Sequence, residues 1–426
     1  MRRVVITGIG PVTSTGIGKR EFFNGVLGNR ICIEKIPENF EIGYKFKSRY
    51  YSPHPNVDLN AYGFPQYYGK VTQDEDKLAL LGASLALQDA GFKTERSEKG
   101  FVVPDLGECG VIVGIGISSL ETGFQSYLAH IIKDKKEVPS ALDPMKIHFN
   151  RMVVPMLMPN STASWISITY GLKGTSYTVN AACASGIFAI GNAYQKIKNG
   201  PEDIILTGGV ECLSDSFGGV MRGFDVLGVL TQSSNGIPCP FSKKSTGFLF
   251  SQGAACILVL EEYEHAVKRG AAIYAEIIDF QSNSDAYNIV QMDPSGVQIK
   301  RLLGNLKQAG RIDYINAHGS GTLANDAIEA EAIEEVFGSR EHQPFINSTK
   351  GILGHTLGAS GALETAVTAL SIKESKLHGN RVPDPRENLN LTENSTEADI
   401  NIAISTSYGF GGHNAGIALK KCGRNG

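Results

Sequence analysis

Four glycine-rich loops of the chain carry side chains that could together catalyse acyl transfer. They hold Cys183 in NAACASG, His318 in NAHGSGT, Lys350 and His355 in STKGILGHTLG, and Phe410 in SYGFGGHNAG. A cysteine thiolate can take an acyl group from a thioester, and histidine or backbone N–H groups can stabilise the oxyanion that develops. A lysine nearby can fix the polarity of neighbouring acids. Each residue alone is more often structural, so the interpretation depends on the four loops converging.

The segment around Cys183 predicts a strand, a tight turn and a helix. A short β-branched run ends just before it, and Ile187, Ile190, Tyr194 and Ile197 follow at helical spacing. Cys183 then lies where the helix begins, and the unpaired N–H groups there should lower the pKa of its thiol. The alternative is that Cys183 is a small buried core residue, which is the common role of free cysteines.

The rest of the chain alternates strand and helix patterns. Residues 37–70 are expected to form an irregular surface excursion. Segment 143–167 holds the single tryptophan and could be core, the lining of an acyl tunnel or a subunit interface. The clearest apolar patterns predict strands at 3–9, 108–116 and 203–209, and helices at 74–91 and from Leu120 into KDKKE.

Two parts of the chain resemble each other. GASGALETAVTALSIKES can be laid over CASGIFAIGNAYQKIKNG with Ala-Ser-Gly in register, which puts Gly358 where the first part has its cysteine. Upstream, 111–118 resembles 314–321, each an apolar strand followed by a glycine loop. We therefore predict two similar α/β halves, 1–265 and 266–426, with mainly parallel sheets covered by helices. The four loops can then meet at equivalent strand ends.

Composition argues against several classes of function. The 426 residues include 40 basic and 43 acidic ones, a formal charge of −3 without long runs of either sign, so neither nucleic acid nor an anionic membrane is an expected partner. No apolar stretch approaches the ~18 residues of a membrane span. The seven scattered cysteines are typical of reduced thiols in the cytoplasm.

Several common site motifs are missing from the sequence. Neither an H-E-x-x-H motif nor clustered Cys and His residues indicate a metal site. Gly8 and Gly10 lack the third glycine of a dinucleotide-binding loop, and GASGA lacks the G-x-S-x-G spacing of a serine nucleophile.

The motifs, taken in order, resemble the signature of a known family. NAACASG, YINAHGSGT, STKGILGHTLGASG and GFGGHN are similar to those of β-ketoacyl-acyl carrier protein synthases of the thiolase superfamily, and the match runs from RRVVITGIG to GIALKK. The resemblance implies a thiolase-like α/β fold with duplicated βαβαβαββ halves in a five-layer αβαβα arrangement, normally a dimer. It implies no cofactor, because substrates are carried on the phosphopantetheine of an acyl carrier protein.

The resemblance also implies a role for each site residue. Cys183 would be the acylated nucleophile, while His318 and His355 would serve decarboxylation of a malonyl thioester and stabilise its enolate. The backbone N–H groups of Cys183 and Phe410 would form the oxyanion hole, and Phe410 would gate the acyl pocket. The supporting set would be an ion pair of Lys350 and Glu329 with Asp326 nearby, and substrate-binding positions at Phe410, Gly409, Gly411 and Thr322.

The motifs are similar to two branches of this family. VVPMLMPNSTASWIS, NAHGSGTLAND and GHTLGASGALE resemble the ketosynthase subunit of type II polyketide synthases, which pairs with a cysteine-less homologue, the chain length factor. GFGGHN is closer to the fatty acid elongation synthase II, a homodimer. Gln252 stands where the family commonly has the glutamate of GEGAG, and we expect it to affect pocket details rather than activity.

Two other functions stay open. A non-catalytic partner subunit of the chain-length-factor kind would have lost the cysteine, so Cys183 argues against it. A degradative thiolase would carry a second catalytic cysteine near its C-terminus, whereas Cys422 lies in the tail KKCGRNG outside the glycine turn. An acidic carrier protein would need a basic surface near the entrance, for which Lys196, Lys198 and Arg222 are candidates.

Overall fold

The computed structural model describes residues 2–97, 100–118, 120–132, 149–380 and 382–423. Its strands are β1 Val4–Thr13, β2 Gly16–Ile17, β3 Glu34–Lys35, β4 Tyr50–Ser52, β5 Glu95–Ser97, β6 Gly100–Val102, β7 Gly110–Ile115, β8 Ser176–Val179, β9 Ile204–Cys212, β10 Phe250–Ser251, β11 Gly253–Glu262, β12 Ala275–Ser284, β13 Tyr314–Asn316, β14 Phe345–Asn347, β15 Lys376–Leu377, β16 Thr396–Glu397, β17 Ile402–Gly409 and β18 His413–Lys420. Its helices are α1 Lys19–Leu27, α2 Tyr68–Val71, α3 Asp74–Asp89, α4 Leu120–Ile131, α5 Val153–Leu157, α6 Ser161–Tyr170, α7 Ser185–Asn199, α8 Gly219–Val226, α9 Tyr263–Lys268, α10 Val297–Lys307, α11 Leu323–Phe337, α12 Lys350–Leu353 and α13 Ser360–Glu374.

The large sheet consists of two halves with the same strand order. The first runs β1–β11–β9–β7–β8 and the second runs β12–β18–β17–β13–β14, and they join where β1 pairs with β12. In each half the first three strands pair antiparallel and the last three pair parallel. The duplication inferred from the sequence is therefore confirmed by the topology.

The expectation of mainly parallel sheets is wrong. β17 and β18 are joined by residues 410–412 alone, and so short a connection can only return the chain antiparallel. β9 and β11 also pair antiparallel, after the excursion of residues 213–252. An apolar run in the sequence indicates that both faces of a strand are covered, but it does not indicate whether the neighbouring strand is parallel or antiparallel.

Helices lie outside each half of the sheet and between the two halves. α7 and α13 contact strands of both halves, and α13 is buried from Ser360 to Ile372. α3, with α6 beside it, covers the outer face of the first half, and α10, with α11 beside it, covers that of the second. This is the predicted five-layer αβαβα arrangement.

Residues 37–70 are more than a surface excursion. The segment contains β4, α2 and two short 3₁₀ turns, and it buries Phe40, Phe46 and Tyr51 in the same apolar cluster as Cys183. The sequence did not predict this burial, because short elements contribute only one or two core side chains each and therefore show no clear apolar period. The segment therefore forms part of the surroundings of the predicted nucleophile.

The described part of segment 143–167 separates into an exposed and a buried stretch. Trp165 packs against the outer core of the first half, as a core residue would. The core interpretation is wrong for most of residues 149–158, because α5 and its flanks bury Met156 alone and expose the other large apolar side chains beside α4, except for the half-buried Val153. We name this surface the apolar face, and it comprises Ile117, Leu120, Phe124, Tyr127, Ile131, Phe149, Met152, Val154, Leu157 and Met158.

Two predictions extend beyond the described residues. The helix predicted from Leu120 into KDKKE begins at Leu120 as expected, but KDKKE lies outside the described residues, as do residues 143–148. In the ranges that the structure covers, none of the helices has the length and apolar character needed to cross a membrane.

Candidate active site

Cys183 lies on the turn between β8 and α7, as predicted. We call residues 180–185 the Cys183 turn, and its backbone is held by Ser185, whose hydroxyl accepts from the N–H of Ala181 at 2.9 Å and donates to the carbonyl of Ala182 at 2.7 Å. Ala182 has a φ of +49°, a left-handed conformation that costs a non-glycine residue roughly 1–2 kcal/mol. The Cys183 turn therefore places Cys183 at the start of α7, and the backbone of Ala182 is strained as a result.

The predicted low pKa of Cys183 is wrong. The side chain is buried among apolar neighbours, and this burial raises the pKa of the thiol to about 12. The charge of Lys350 and the backbone N–H groups of Phe410 and of Cys183 itself act in the opposite direction, but they do not overcome desolvation. At neutral pH the resting group is a thiol.

The glycine turn between β17 and β18 lies directly against the Cys183 turn. A Cβ at Gly409 would lie 2.8 Å from the carbonyl oxygen of Ala181 and 3.1 Å from the amide nitrogen of Cys183, so only glycine fits. Gly411 has a φ of +83°, which favours glycine for conformational reasons. This close approach brings the N–H of Phe410 to the sulfur, so two backbone donors face one point.

His355 has a defined tautomer. Its Nδ1 accepts from the N–H of Leu357 at 3.2 Å, so the neutral ring carries its proton on Nε2, and the hydroxyl of Ser360 lies 3.1 Å from the same Nδ1. The pKa of His355 is held well below its usual value by burial and by the charge of Lys350. The ring is therefore a neutral N–H donor.

His318 faces His355 across the site. The two ring centroids are 5.5 Å apart, and Nδ1 of His318 is buried without a hydrogen-bond partner among the described residues. Burial, Lys350 and His355 hold the pKa of His318 well below its usual value. Both imidazoles are thus neutral at physiological pH.

Two buried acids hold the loop that carries His318. Glu329 accepts from the N–H groups of His318 at 2.9 Å and Gly319 at 2.7 Å. Asp326 accepts from the N–H groups of Gly321 at 3.1 Å and Phe241 at 2.7 Å. The side chain of Asn325 also donates to both carboxylates. Because both acids accept from backbone N–H groups of the loop, they position it.

The predicted ion pair between Lys350 and Glu329 is wrong. Nζ of Lys350 instead forms a fully buried ion pair with Glu364 on α13, and it donates to the carbonyl of His318 at 2.8 Å. Glu329 is already occupied by two backbone N–H groups, which leaves Glu364 as the acid nearest the lysine. The lysine ties the loop of His318 to the central helix layer.

A cavity of about 630 Å³ brings most of the predicted residues together. Cys183, His318, His355 and Phe410 line it, and Phe410 packs beside Phe224 with ring centroids 6.5 Å apart. Thr322 and Gly409 also line it, and Gly412 takes the place expected for Gly411. Lys350, Glu329 and Asp326 lie behind its wall. A cysteine, two neutral histidines and a pair of N–H donors on one apolar cavity fit thioester chemistry.

Comparison with known proteins decides the family. The model for the β-ketoacyl synthase N-terminal domain matches residues 1–266, and that for the C-terminal domain matches residues 274–382. The chain belongs to the β-ketoacyl synthase family. It is 33% identical to 3-oxoacyl-[acyl-carrier-protein] synthase 1 of Buchnera aphidicola and 31% identical to synthase 2 of Coxiella burnetii, covering 99% of this chain and 99–100% of theirs. It is an acyltransferase of the 3-oxoacyl-ACP synthase type.

Solved β-ketoacyl synthases share the fold over the whole chain. A β-ketoacyl synthase from Burkholderia phymatum is 30% identical with a TM-score of 0.84. The AntDE:AntF complex, a type II polyketide acyl carrier protein with its ketosynthase, is 29% identical with a TM-score of 0.81. The ishigamide ketosynthase/chain length factor is 28% identical with a TM-score of 0.82. Each covers 99% of this chain and 100% of its own.

The β-ketoacyl synthase site contains a second turn that resembles the first. Residues 355–360, the Gly358 turn, repeat the Cys183 turn before α13, and Leu357 has a φ of +46° where the first turn has Ala182. The N–H of Gly358 is occupied by the buried carboxylate of Glu211 at 2.9 Å. Glu211 also accepts from Gly116 and Ile117, and burial raises its pKa to about 8.

The two turns touch backbone to backbone between the halves. A Cβ at Gly186 would lie 2.7 Å from the amide nitrogen of Ala362, and one at Gly209 would lie 2.5 Å from the carbonyl oxygen of Gly358. A Cβ at Gly361 would lie 2.8 Å from the amide nitrogen of Ile187. Glycine is therefore required at these three contacts beside the turns.

Sequence reasoning missed three functional positions. Glu364 and Glu211 are acids in segments that are otherwise buried. Because a buried charge needs a partner, an acid within an apolar segment could have predicted a structural or functional contact. Phe248, whose ring lies 4.9 Å from that of His355, had no signal. Gln252 is buried between β10 and β11 and does not line the cavity. Its backbone N–H donates to the carbonyl of Ser52, and its carbonyl accepts from the N–H of Leu213.

Proposed function

We propose that the chain catalyses decarboxylative Claisen condensation of malonyl-acyl carrier protein with an acyl group held on Cys183. The observation that carries the proposal is the meeting of Cys183, His318 and His355 on one cavity, with the N–H groups of Cys183 and Phe410 facing the sulfur. The roles predicted for Lys350, Glu329 and Asp326 become positioning roles, because their contacts hold the loop of His318.

In the loading step the thiol of Cys183 attacks the carbonyl carbon of an acyl thioester. A neutral histidine accepts the thiol proton as the C–S bond forms, and the pair of N–H groups stabilises the oxyanion. The carrier thiolate leaves and takes up the proton. Because the resting thiol has a raised pKa, the proton is transferred during attack rather than before it.

In the condensing step malonyl thioester loses carbon dioxide. Nε2–H of His355 can donate to the thioester oxygen and stabilise the enolate that forms, and neutral His318 lies on the opposite side of the cavity. The enolate carbon attacks the acyl carbonyl on Cys183, the C–S bond breaks, and the carrier holds a chain two carbons longer. Cys183 leaves as a thiolate and takes a proton from solvent, which restores the resting thiol. Phe410 and Gly409, Gly412 and Thr322 shape the path of the acyl chain.

Substrates would arrive on an acyl carrier protein, and we propose that no other cofactor is needed. Arg222 lies on α8, just before residues 227–229 at the cavity wall, so it can contact an acidic carrier. Lys196 and Lys198 are at the far end of α7, roughly 20 Å along the helix from Cys183, and are too distant for that role. We place the reaction in the cytoplasm, since all seven cysteines are free thiols.

We infer that the chain acts as the ketosynthase subunit of a type II polyketide synthase. Whole-chain similarity to the ketosynthase of AntDE:AntF and to the ishigamide ketosynthase/chain length factor supports this branch. The second candidate is a homodimeric fatty acid elongation synthase, which the names of the curated relatives favour. The two candidates differ in whether a cysteine-less partner is required.

The intact mass of the carrier protein tests both levels of the proposal. The chain alone is incubated with acyl-primed carrier and malonyl carrier. A two-carbon β-keto extension indicates a self-sufficient synthase and overturns the polyketide assignment. Acylation of Cys183 without extension, rescued by a cysteine-less homologue, supports that assignment. If no thioester acylates Cys183, the condensation proposal itself fails.

Decarboxylation should keep its rate as the pH falls through 6.5. Burial and Lys350 hold the pKa of His318 and His355 well below the usual 6.5, so both rings stay neutral. The measurement is carbon dioxide release from malonyl carrier between about pH 8 and about pH 6. A rate that halves near pH 6.5 would contradict neutral histidines.

The same two histidines should make stability depend on pH. Below pH 6.5 the unfolded chain binds more protons at these sites than the native protein does. Their contribution to the free energy of unfolding should therefore decrease as the pH is lowered.

The apolar face should carry the subunit interface, with a second copy or a chain length factor as partner. Leu120, Phe124, Tyr127 and Ile131 form one stripe of α4, and Tyr127 is 64% exposed. Phe124→Glu with Tyr127→Glu should convert a dimer to a monomer in analytical ultracentrifugation, because the charges cannot be buried without partners. Val267→Glu on α9, also an exposed apolar position, should leave the dimer intact. A dimer that survives the double substitution would rule out this face.

A further inference from the structure

Three side chains with metal-binding atoms meet at a place distant in sequence from the site motifs. They are His54, Asp74 and Cys212, and one ring nitrogen, one carboxylate oxygen and the sulfur all lie within 4.8 Å of one another. They come from the loop after β4, the first residue of α3 and the last residue of β9. No short-range spacing links them.

The backbone is built so that these segments approach closely. Gly253 pairs with Cys212 in the sheet, and a Cβ there would lie 3.0 Å from Cα of Cys212 and 3.3 Å from Cβ of His54. The missing side chain allows His54 to lie over the end of β9. Backbone bonds from Gln252 to Ser52 and from Leu213 to Gln252 fix two of these segments, the end of β4 and the end of β9, against each other.

His54 has a tautomer that leaves the lone pair of one ring nitrogen for a metal. Its Nδ1 lies 3.1 Å from the carbonyl oxygen of Pro55, so the neutral ring donates from Nδ1 and presents the lone pair of Nε2. Metal-binding histidines commonly donate their other N–H to a backbone carbonyl in this way, which fixes the tautomer and the ring plane.

The surroundings of Cys212 are negative. The carboxyl groups of Glu75, Asp74 and Glu211 all lie close enough to act on it electrostatically. Within the described ranges Asp74 pairs with Lys77 at 2.8 Å, at a carboxylate that is 50% exposed, and such surface pairs contribute little. A bound cation would offset this negative charge and convert the thiol to a thiolate.

We propose that His54, Asp74 and Cys212 bind one zinc ion. Nitrogen, oxygen and sulfur ligands together suit zinc better than calcium or magnesium, and three protein ligands leave a fourth position for water. Tetrahedral zinc places such ligand atoms roughly 3.5 Å apart. The three ligand atoms lie within 4.8 Å of one another, so zinc binding must draw them together, and the half-exposed carboxylate of Asp74 can rotate toward the other two. The ion would fasten the loop after β4 and the start of α3 to the end of β9, next to Glu211.

The test measures zinc binding by the full chain after chelation and re-addition of zinc chloride. We expect one equivalent of zinc per chain by elemental analysis and a higher melting temperature with zinc. Cobalt(II) in its place should give a thiolate charge-transfer absorption. His54→Ala and Cys212→Ser should each weaken zinc binding by more than ~100-fold, since even outer-shell changes cost ~10–100-fold. His54→Ala is the safer variant for folding, because His54 is only partly buried.

Cys183→Ala distinguishes this site from adventitious binding at the cavity. Cys183, His318 and His355 could also attract zinc, so the proposal requires that Cys183→Ala keeps the equivalent of zinc and the cobalt absorption. Loss of zinc in Cys183→Ala, retention in both His54→Ala and Cys212→Ser, or no zinc in the unmodified chain would each overturn it. Condensing activity does not enter this readout, so failure of the zinc site and failure of the proposed reaction are distinguishable.

Discussion

Cys183→Ala should lower condensation by at least about 10³-fold while malonyl decarboxylation stays measurable. Alanine cannot form the acyl thioester, so the enolate has no electrophile to attack. The groups proposed to stabilise the enolate, His318 and His355, are unchanged by the substitution, and they lie across the same cavity. The substitution therefore separates the two half-reactions.

The measurement pairs two assays on the same protein. Carrier mass reports condensation, and carbon dioxide release reports decarboxylation. Cys239→Ala, a half-buried free cysteine that does not line the cavity, is the matched control and should retain both activities. Condensation by Cys183→Ala at the unmodified rate would refute the nucleophile assignment.

Lys350→Met should lower the free energy of unfolding by about 3–5 kcal/mol. Lys350 and Glu364 are each 2% exposed, so removing the lysine leaves a buried carboxyl without its counter-charge. The carbonyl of His318 also loses a donor. Chemical denaturation at constant pH measures the loss, and the decarboxylation rate should fall with it because the loop of His318 is released.

Two controls show whether the loss is specific to the buried pair. Lys350→Met with Glu364→Leu replaces both charges by apolar groups and should recover at least about half of the stability. Lys243→Met breaks a pair with Glu387 whose side chains are 45% and 84% exposed, and it should leave the free energy of unfolding almost unchanged, because exposed pairs contribute little. Equal losses at the buried and exposed pairs would contradict this account.

The turn of Cys183, the duplication and the convergence of the four loops could be predicted from the sequence. Each depends on local pattern, since strand, glycine turn and helix signals lie within about 20 residues of each other. The register of Gly358 on Cys183 also predicted the equivalence of the two turns, and the structure adds the matching φ angles of Ala182 and Leu357.

What failed depended on burial and on long-range packing. The pKa of Cys183 was misjudged because position at a helix start can be read from sequence, whereas the degree of desolvation cannot. The resemblance to the family paired Lys350 with Glu329, whereas the fold shows that backbone N–H groups already occupy Glu329 and that Glu364 pairs with the lysine. His54, Asp74 and Cys212 come from three distant segments, so no spacing rule could group them.

The contact between the Cys183 turn and the Gly358 turn limits how the site can open. Gly186 and Gly361, which directly follow the two turns, meet the amide nitrogens of Ala362 and Ile187 in the opposite helix at distances that leave no room for a methyl group. A hinge needs residues whose backbone can absorb rotation, and a sliding interface needs side chains that can readjust. The close backbone contacts at Gly186 and Gly361 offer neither, so we expect the two halves to stay fixed against each other at this contact. Entry of an acyl chain must then depend on rotamer changes at the cavity wall, where Phe410 and Leu357 are placed to make them.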